Sequence, residues 1–248
     1  MMTSRTLLSN RETEALFEEK KACILLPTYN NGKTITDVVQ CCLQLTSHVV
    51  VVNDGSTDDT LALLEKFQVQ VLSERKNRGK GYALAKGFAW AIQQGYQYAV
   101  SIDTDGQHMP DDAISLLHAL PADDPVLLIG ARNMQQADIP VKSTFGNRFS
   151  NFWFRLETGI RLPDTQSGFR VYPVQCYRNW HFFTHKFEFE IEVLVRTAWK
   201  GIPVRAVPVR VHYPEADKRV THFRPLRDFF RISVLNTVLV LLTFLYIK

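Results

Sequence analysis

Short apolar runs alternate with amphipathic stretches over the first half of the chain. The apolar runs are five or six residues long and rich in β-branched side chains, as buried strands are. They predict strands at residues 22–26, 48–52, 68–72, 98–102 and 126–131. Apolar residues at helical spacing predict helices between them at 33–46, 57–67 and 79–94. This alternation predicts an α/β fold with a mostly parallel central sheet.

The pattern becomes less regular beyond residue 132. It predicts a helix at 142–157, a loop at 162–170 and a strand at 204–213. Pro208 predicts that this last strand lies at a sheet edge or is irregular, because proline donates no hydrogen bond to a neighbouring strand. The sequence contains no repeat and no low-complexity linker. The simplest division is a helical extension at 1–21, one α/β domain at 22–213 and a C-terminal element at 214–248.

The C-terminal element combines positive charge with the most apolar run of the chain. Residues 198–231 hold eight Lys or Arg against three Asp or Glu, a local charge of +5 in a chain whose net charge is +4. The apolar run, 232–247, would rise about 24 Å as a helix, which is short of a hydrocarbon core of roughly 30 Å. A tilted, interfacial or partner-packed helix beside the membrane fits it better, with Arg224, Arg227 and Arg231 facing anionic lipid. A buried core helix is the alternative.

Composition adds three expectations. A chain of 248 residues with 46% hydrophobic content is long enough to bury a full core. The four cysteines show no metal-ligand spacing and are expected to be free thiols in a reducing cytosol. No N-terminal stretch is apolar enough for a signal peptide, so we expect the protein to stay on the side where it is made, at the cytoplasmic face of a membrane. We expect no nucleic acid among its partners.

The most informative polar segment follows the fourth predicted strand. Asp103 and Asp105 alternate at the strand end, so both carboxylates point toward one side of the next loop, and Gln107 and His108 add ligand-capable groups. Mg²⁺ and Mn²⁺ bind through one or two carboxylates together with water and phosphate oxygens. The segment therefore predicts a divalent-cation site, with a structural turn as the alternative.

Two further segments admit both a functional and a structural interpretation. Residues 53–58, NDGSTD, could contact a base or ribose, or could only form a turn and cap a helix. Residues 77–81, NRGKG, place basic groups at a helix N-terminus, which favours an anion. The spacing matches neither the P-loop nor the dinucleotide-binding pattern, which argues against an ATPase or a dinucleotide enzyme.

Five segments in this order resemble glycosyltransferase family 2, and within it the polyprenyl-phosphate (dolichol-phosphate) mannose and glucose synthases. They are LPTYN at 26–30, VVNDGSTD at 51–58, NRGKG at 77–81, DTDGQH at 103–108 and DTQSGFR at 164–170. The resemblance extends over about residues 22–213 and implies a GT-A fold and transfer with inversion of a hexose from a nucleotide sugar.

The resemblance also implies a donor site. It places Pro27, Tyr29, Asn31, Asp54, Ser56, Lys80 and Asp103 at the nucleotide sugar, and Asp103, Asp105 and Gln107 at Mg²⁺ or Mn²⁺. Lys80 and the cation would stabilise the negative charge that develops on the departing diphosphate. Arg219 and His222 lie where this branch has a basic segment over the donor, although they could instead face anionic lipid. Asn31 and Asn53 depart from the family, which leaves a UDP- or a GDP-hexose open.

For the acceptor, the resemblance implies a polyprenyl phosphate, which is already anionic and is held by basic residues. Arg132 matches the family's phosphate-binding arginine, whereas Lys142 replaces a second one and gives a point charge in place of a bidentate fork. Arg148 could supply that fork, and Ser167 and Arg170 are further acceptor contacts. The expected catalytic residues are Asp105, Arg132 and Asp164.

Asp164 admits three interpretations: ordering the 167–170 loop, acting as a general base toward a hydroxyl acceptor, or starting a turn. A base would favour the alternative function, which is transfer to a hydroxyl in a glycolipid or envelope polymer. A catalytically silent nucleotide-sugar-binding module is a third hypothesis. A nucleotidyltransferase lacks support because no lysine-rich glycine loop follows the first strand. An oligomer or a membrane-protein partner could also bind at 232–247.

Overall fold

A computed structural model describes residues 9–133, 141–212 and 225–246, and its centre is one seven-stranded sheet. The strands are β1 (Ala22–Thr28), β2 (Val49–Asn53), β3 (Gln70–Ser73), β4 (Tyr98–Ser101), β5 (Leu127–Arg132), β6 (Arg170–Pro173) and β7 (Val204–Val209). The helices are α1 (Asn10–Glu19), α2 (Ile35–Leu43), α3 (Thr60–Leu64), α4 (Lys80–Gln93), α5 (Asp112–His118), α6 (Val141–Thr158), α7 (Glu188–Trp199) and α8 (Pro225–Tyr246).

The strand order is β3-β2-β1-β4-β6-β5-β7. All pairings are parallel except the two that β6 makes with β4 and β5. The predicted α/β fold with a mostly parallel sheet is therefore confirmed. The pattern missed β6, which begins at Arg170, as well as α5 and α7. β7 lies at the sheet edge, as Pro208 predicted, and pairs with β5 on its inner side.

Helices cover both faces of the sheet, and the alternation of side chains along β1 shows why. Ile24 and Leu26 pack into the cluster formed with α1, α2, α3 and α5. Cys23 and Leu25 point the other way, into the cluster formed with α4, α6, α7 and α8. Every residue of β1 is buried, as expected for a strand covered on both faces.

The N-terminal helix α1 joins the first of these clusters. A capping box starts it, in which the Ser9 hydroxyl accepts from the Glu12 amide and the Glu12 carboxylate accepts from the Ser9 amide. Leu16 and Phe17 are buried against the rest of the domain. The four cysteines are free thiols, and the division into three segments stays a prediction.

The helix α8 begins seven residues before the predicted apolar run and packs against α6 and α7. Its inner face buries Asp228, Ile232, Asn236 and Leu239, whereas the opposite face is exposed. Within the described residues, no helix has both the length and the apolar character needed to cross a bilayer.

A carboxyl group without a hydrogen-bond partner lies beneath α8. Glu157 is completely buried, and neither of its carboxylate oxygens has a partner. Burial raises the pKa of Glu157 from 4.5 to about 8. The folded protein therefore favours the protonated carboxyl. The free energy of unfolding falls as the pH rises from 4.5 toward 8, because Glu157 ionises in the unfolded chain but stays protonated in the folded protein.

We predict that Glu157→Gln stabilises the protein in a pH-dependent way. Glutamine has a similar shape and cannot ionise, so at pH 8.5 the variant should unfold at a Tm several degrees higher, reflecting a few kcal/mol. Near pH 4.5 the difference should almost vanish, because both side chains are then neutral in the folded protein. Calorimetry of the two proteins across this pH range measures it; an equal Tm difference at both ends would contradict the assignment.

Candidate active site

A cavity of about 520 Å³ opens where β1, β2 and β4 end. Parallel strands bring their carboxyl ends to one sheet edge, and binding sites of α/β proteins commonly lie there. The lining residues are Pro27, Thr28, Tyr29, Asn31, Asp54, Asn77, Gly79, Lys80, Ala83, Asp103, Thr104, Asp105, Gln107, Lys186, Phe187, Arg227, Asp228 and Arg231. Most of the predicted donor-site residues thus lie around one space.

The two aspartates of the DTD segment differ in charge environment. Lys80 Nζ lies 2.6 Å from Asp103 Oδ1. Burial alone would raise the pKa of Asp103, but the Lys80 ammonium holds it below its ordinary value. Burial and the neighbouring charge of Asp103 raise the pKa of Asp105 to about 6. Both carboxylates line the cavity, and the backbone amide of Gln107 donates to Asp105 Oδ1 at 3.0 Å.

Lys80 has a second carboxylate partner that the sequence pattern did not reveal. Glu190 Oε2, on α7, lies 3.0 Å from Lys80 Nζ. Burial alone would lower the pKa of Lys80, but the Asp103 and Glu190 carboxylates raise it, so the ammonium keeps its charge. The acidic segment 188–192 was the available signal, although nothing in its local pattern points to the cavity.

Asp54 holds the loop before α4. Its carboxylate accepts the amide hydrogens of Arg78 at 2.8 Å and Gly79 at 2.7 Å. Gly79 has a φ of 110°, a conformation that favours glycine. Asp54 thereby lines the cavity and also fixes the NRGKG segment to the end of β2.

Asn31 lies in the loop after β1 and also lines the cavity. Its side-chain amide donates to Thr104 Oγ1 at 2.7 Å, which ties this loop to the DTD segment. Ser56 is not among the lining residues. Its hydroxyl accepts from the backbone amide of Asn30 at 2.9 Å, and its own backbone amide donates to Asn53 Oδ1. Ser56 thus forms part of a turn in this structure, and its donor contact stays a prediction.

Arg132 and Asp164 form a buried bidentate ion pair. Arg132 Nε donates to Asp164 Oδ2 at 2.7 Å and Nη2 donates to Oδ1 at 3.0 Å. The backbone amide of Gln166 also donates to Asp164 Oδ1. Burial alone would raise the pKa of Asp164, but these contacts with Arg132 lower it. The arrangement matches the loop-ordering interpretation of Asp164 better than that of a general base.

Arg170 and Ser167 require a correction. Both were predicted to contact the acceptor, but each is 1% exposed and neither lines the cavity. The Arg170 guanidinium donates to three backbone carbonyl oxygens, those of Thr165, Ser167 and Glu190. These bonds hold the DTQSGFR segment in place.

Gly168 of the DTQSGFR segment lies close to two side chains that line the cavity. A Cβ on Gly168 would lie 2.2 Å from Asp103 Oδ2 and 2.7 Å from Lys80 Nζ. His108 packs against Phe169 of the same segment, with the two ring centroids 5.3 Å apart. Burial lowers the pKa of His108 to about 4, so the imidazole is neutral near pH 7.

Several predicted residues lie elsewhere. Arg219 and His222 fall outside the described residues, and so does the side chain of Lys142, on α6. Arg148 is exposed on α6 and is not among the lining residues. In contrast, Arg227 and Arg231 of α8, which were expected to face lipid, line the cavity.

Comparisons with known proteins agree with this geometry. The family model described as "Glycosyl transferase family 2" matches residues 23–180. The glycosyltransferase AglJ of Haloferax volcanii is 31% identical over 208 residues, which covers 83% of this chain and 67% of that protein. The polyprenol monophosphomannose synthase of Mycolicibacterium smegmatis is 28% identical, with 77% of each chain covered.

A solved structure is similar over nearly the whole chain. Glucosyl-3-phosphoglycerate synthase from Mycobacterium tuberculosis, in complex with Mn²⁺, UDP and glucosyl-3-phosphoglycerate, superposes with a TM-score of 0.66. The match covers 98% of this chain and 86% of that chain at 21% identity. Such a likeness shows the fold, and the predicted GT-A fold is thereby confirmed.

We predict that Arg132→Met destabilises the protein strongly because it leaves the Asp164 carboxylate buried and unpaired. The free energy of unfolding should fall by about 3–5 kcal/mol. The double variant Arg132→Met/Asp164→Asn should recover part of this loss, since the remaining side chain is uncharged. Urea unfolding at pH 7 measures all three proteins; a double variant no more stable than Arg132→Met would contradict the pairing.

Proposed function

Because the chain belongs to glycosyl transferase family 2, we propose that this glycosyltransferase moves a hexose from a nucleotide sugar to a polyprenyl phosphate at a membrane surface. The observation that carries the proposal is the cavity, in which the carboxylates of Asp103 and Asp105 face the cationic groups of Lys80, Arg227 and Arg231. Relatives named for transfer to polyprenol, undecaprenyl or dolichyl phosphate support the acceptor class.

Asp103, Asp105 and Gln107 would hold Mg²⁺ or Mn²⁺. The fit rests on two carboxylates that line one cavity and on the raised pKa of Asp105, which results from burial and from the neighbouring charge of Asp103. A bound cation would neutralise charge on the donor diphosphate. Solved relatives with the same fold hold Mn²⁺ or Mg²⁺ together with UDP.

The chain's own residues would orient the donor. Pro27, Tyr29 and Asp54 offer one wall for the nucleoside, and the loop that Asp54 fixes presents Lys80 to the diphosphate. Lys80 remains charged, so it can stabilise the negative charge that builds on the leaving diphosphate. A UDP- or GDP-hexose fits this chemistry. Transfer with inversion follows from a single displacement, in which the acceptor oxygen attacks opposite the leaving diphosphate.

A phosphate acceptor suits the rest of the cavity. A phosphate monoester is anionic near pH 7 and needs no general base. Arg227 and Arg231 contribute positive charge to the wall formed by α8. Arg132 is not among the residues that line the cavity. Held by Asp164, it would bind the acceptor phosphate after part of its fork reorients, and Asp164 would act by positioning Arg132.

The face of the protein beside the cavity supports contact with a membrane. On α8, Phe230, Val234, Val238, Leu241 and Phe244 are 46–69% exposed. Their spacing of three or four residues puts them along one side of the helix. We call this set the apolar face. Phe152 and Leu156 of α6 are also exposed, and Arg227 lies at the end of the apolar face where the helix lines the cavity. Shallow insertion from the cytoplasmic side would bring a lipid phosphate to that end.

We predict that Asp105→Ala abolishes sugar transfer. Membranes containing polyprenyl phosphate, divalent cation and a panel of radiolabelled UDP- and GDP-hexoses should yield sugar-linked lipid phosphate with the wild type. The variant should be at least about 100-fold slower, because one of the two carboxylates that would hold the cation is missing. Labelling of a hydroxyl acceptor in place of the lipid phosphate would overturn the proposed acceptor.

We predict that the double variant Phe230→Ser/Leu241→Ser binds vesicles at least about tenfold more weakly, because it removes two apolar side chains from the interface. Sedimentation with vesicles of phosphatidylcholine and anionic phosphatidylglycerol measures the binding. Leu61→Ser is the matched control, since Leu61 is 41% exposed on α3, outside the apolar face. Equal binding by all three proteins would exclude the apolar face as the membrane contact.

A further inference from the structure

The Lys80 ammonium is shared between two carboxylates that belong to different parts of the fold. Asp103 Oδ1 lies 2.6 Å from Nζ and Glu190 Oε2 lies 3.0 Å from it. The three side chains are 16%, 25% and 10% exposed for Lys80, Asp103 and Glu190. Lys80 and Asp103 line the cavity, whereas Glu190 is not among the lining residues. Glu190 therefore contacts Lys80 from behind the cavity wall.

The position of Glu190 is fixed from two directions. A Cβ on Gly81 would lie 2.3 Å from Phe189 Cβ, so glycine at this position lets the start of α7 approach the start of α4. The Glu190 carbonyl oxygen accepts a hydrogen bond from Arg170 Nη1 at 2.7 Å. The DTQSGFR segment and the NRGKG segment thus both hold Glu190 beside Lys80.

In the proposed function Asp103 has two cationic partners, the Lys80 ammonium and the divalent cation. A divalent cation bound to Asp103 would withdraw the carboxylate from Lys80 and would repel the ammonium group. Without another anion, Lys80 would either stay on Asp103 and compete with the cation or turn away from the diphosphate. Glu190 offers such an anion, at hydrogen-bond distance and outside the cavity.

We propose that Glu190 is a positioning residue, which holds the Lys80 ammonium at the cavity wall while Asp103 binds the divalent cation. The inference rests on the proposed function, because it requires that cation at Asp103. Glu190 itself touches neither donor nor acceptor. It acts by reducing the competition between Lys80 and the cation for one carboxylate.

The test measures cation binding directly, without donor, acceptor or turnover. Mn²⁺ is titrated into the full chain, and free Mn²⁺ is followed by electron paramagnetic resonance. In Glu190→Gln, Lys80 has only Asp103 as an anionic partner, so Mn²⁺ should bind about tenfold more weakly. In the double variant Lys80→Met/Glu190→Gln the competing ammonium is gone, and the affinity should return at least to that of the wild type.

Glu192→Gln is the matched control. Glu192 lies on the same helix and is also buried, but its carboxylate is bound by Arg196 and by the Thr184 hydroxyl. Its substitution should leave the Mn²⁺ affinity unchanged, and thermal unfolding of every variant identifies loss of fold. Rescue by Lys80→Met separates positioning from a structural effect, because removing the lysine does not repair a damaged helix contact.

Three results would overturn the inference. Unchanged Mn²⁺ affinity in folded Glu190→Gln would show that Glu190 does not influence the competition, and the proposed function would be unaffected. Equal weakening in Glu190→Gln and the double variant would assign Glu190 a structural role alone. A wild type that binds no Mn²⁺ would instead overturn the cation site of the proposed function, and this inference with it.

Discussion

The sharing of one lysine ammonium between two carboxylates is the contact on which the cavity depends. Lys80 starts α4, Asp103 follows β4 and Glu190 lies on α7, so the three charges join elements that are far apart in sequence. The elements can meet only where side chains are absent: Gly81 admits α7, and Gly168 leaves room for the Lys80–Asp103 pair. Two motifs that look like separate loops in the sequence are therefore parts of one packed arrangement.

The sequence predicted β1, β2 and β5 because burial on both faces gives these strands a nearly continuous apolar run. A strand such as β2 has no polar position to present to water, so its apolar run marks both its existence and its end. The residues that follow such strands then had to meet at the sheet edge. This reasoning placed Asp54, Asp103 and Asp105 correctly around the cavity without any knowledge of their contacts.

Two of the elements that the sequence missed, α7 and β6, carry buried charges whose partners a hydrophobic pattern does not reveal. In α7, Glu190 binds Lys80 and Glu192 is bound by Arg196 and by the Thr184 hydroxyl. In β6, Arg170 is buried because three backbone carbonyls surround its guanidinium. A local pattern treats such residues as solvent-exposed, since only tertiary contacts offset the free energy of burying a charge. The same limit applies to α8, where the pattern could not tell that Arg227 and Arg231 line the cavity.

The ion pair between Arg132 and Asp164 bears on the acceptor more directly than any motif. A general base must hold a free lone pair near the attacking oxygen and have a pKa close to the working pH. Asp164 is completely buried, its two oxygens already accept hydrogen bonds, and the Arg132 guanidinium holds its pKa below the ordinary value although burial alone would raise it. A hydroxyl acceptor would need this carboxylate to leave its partner and gain basicity. A phosphate acceptor needs no base: part of the Arg132 fork would turn to the phosphate while Asp164 stays ionised and holds the rest, which is why this ion pair fits an acceptor that arrives already charged.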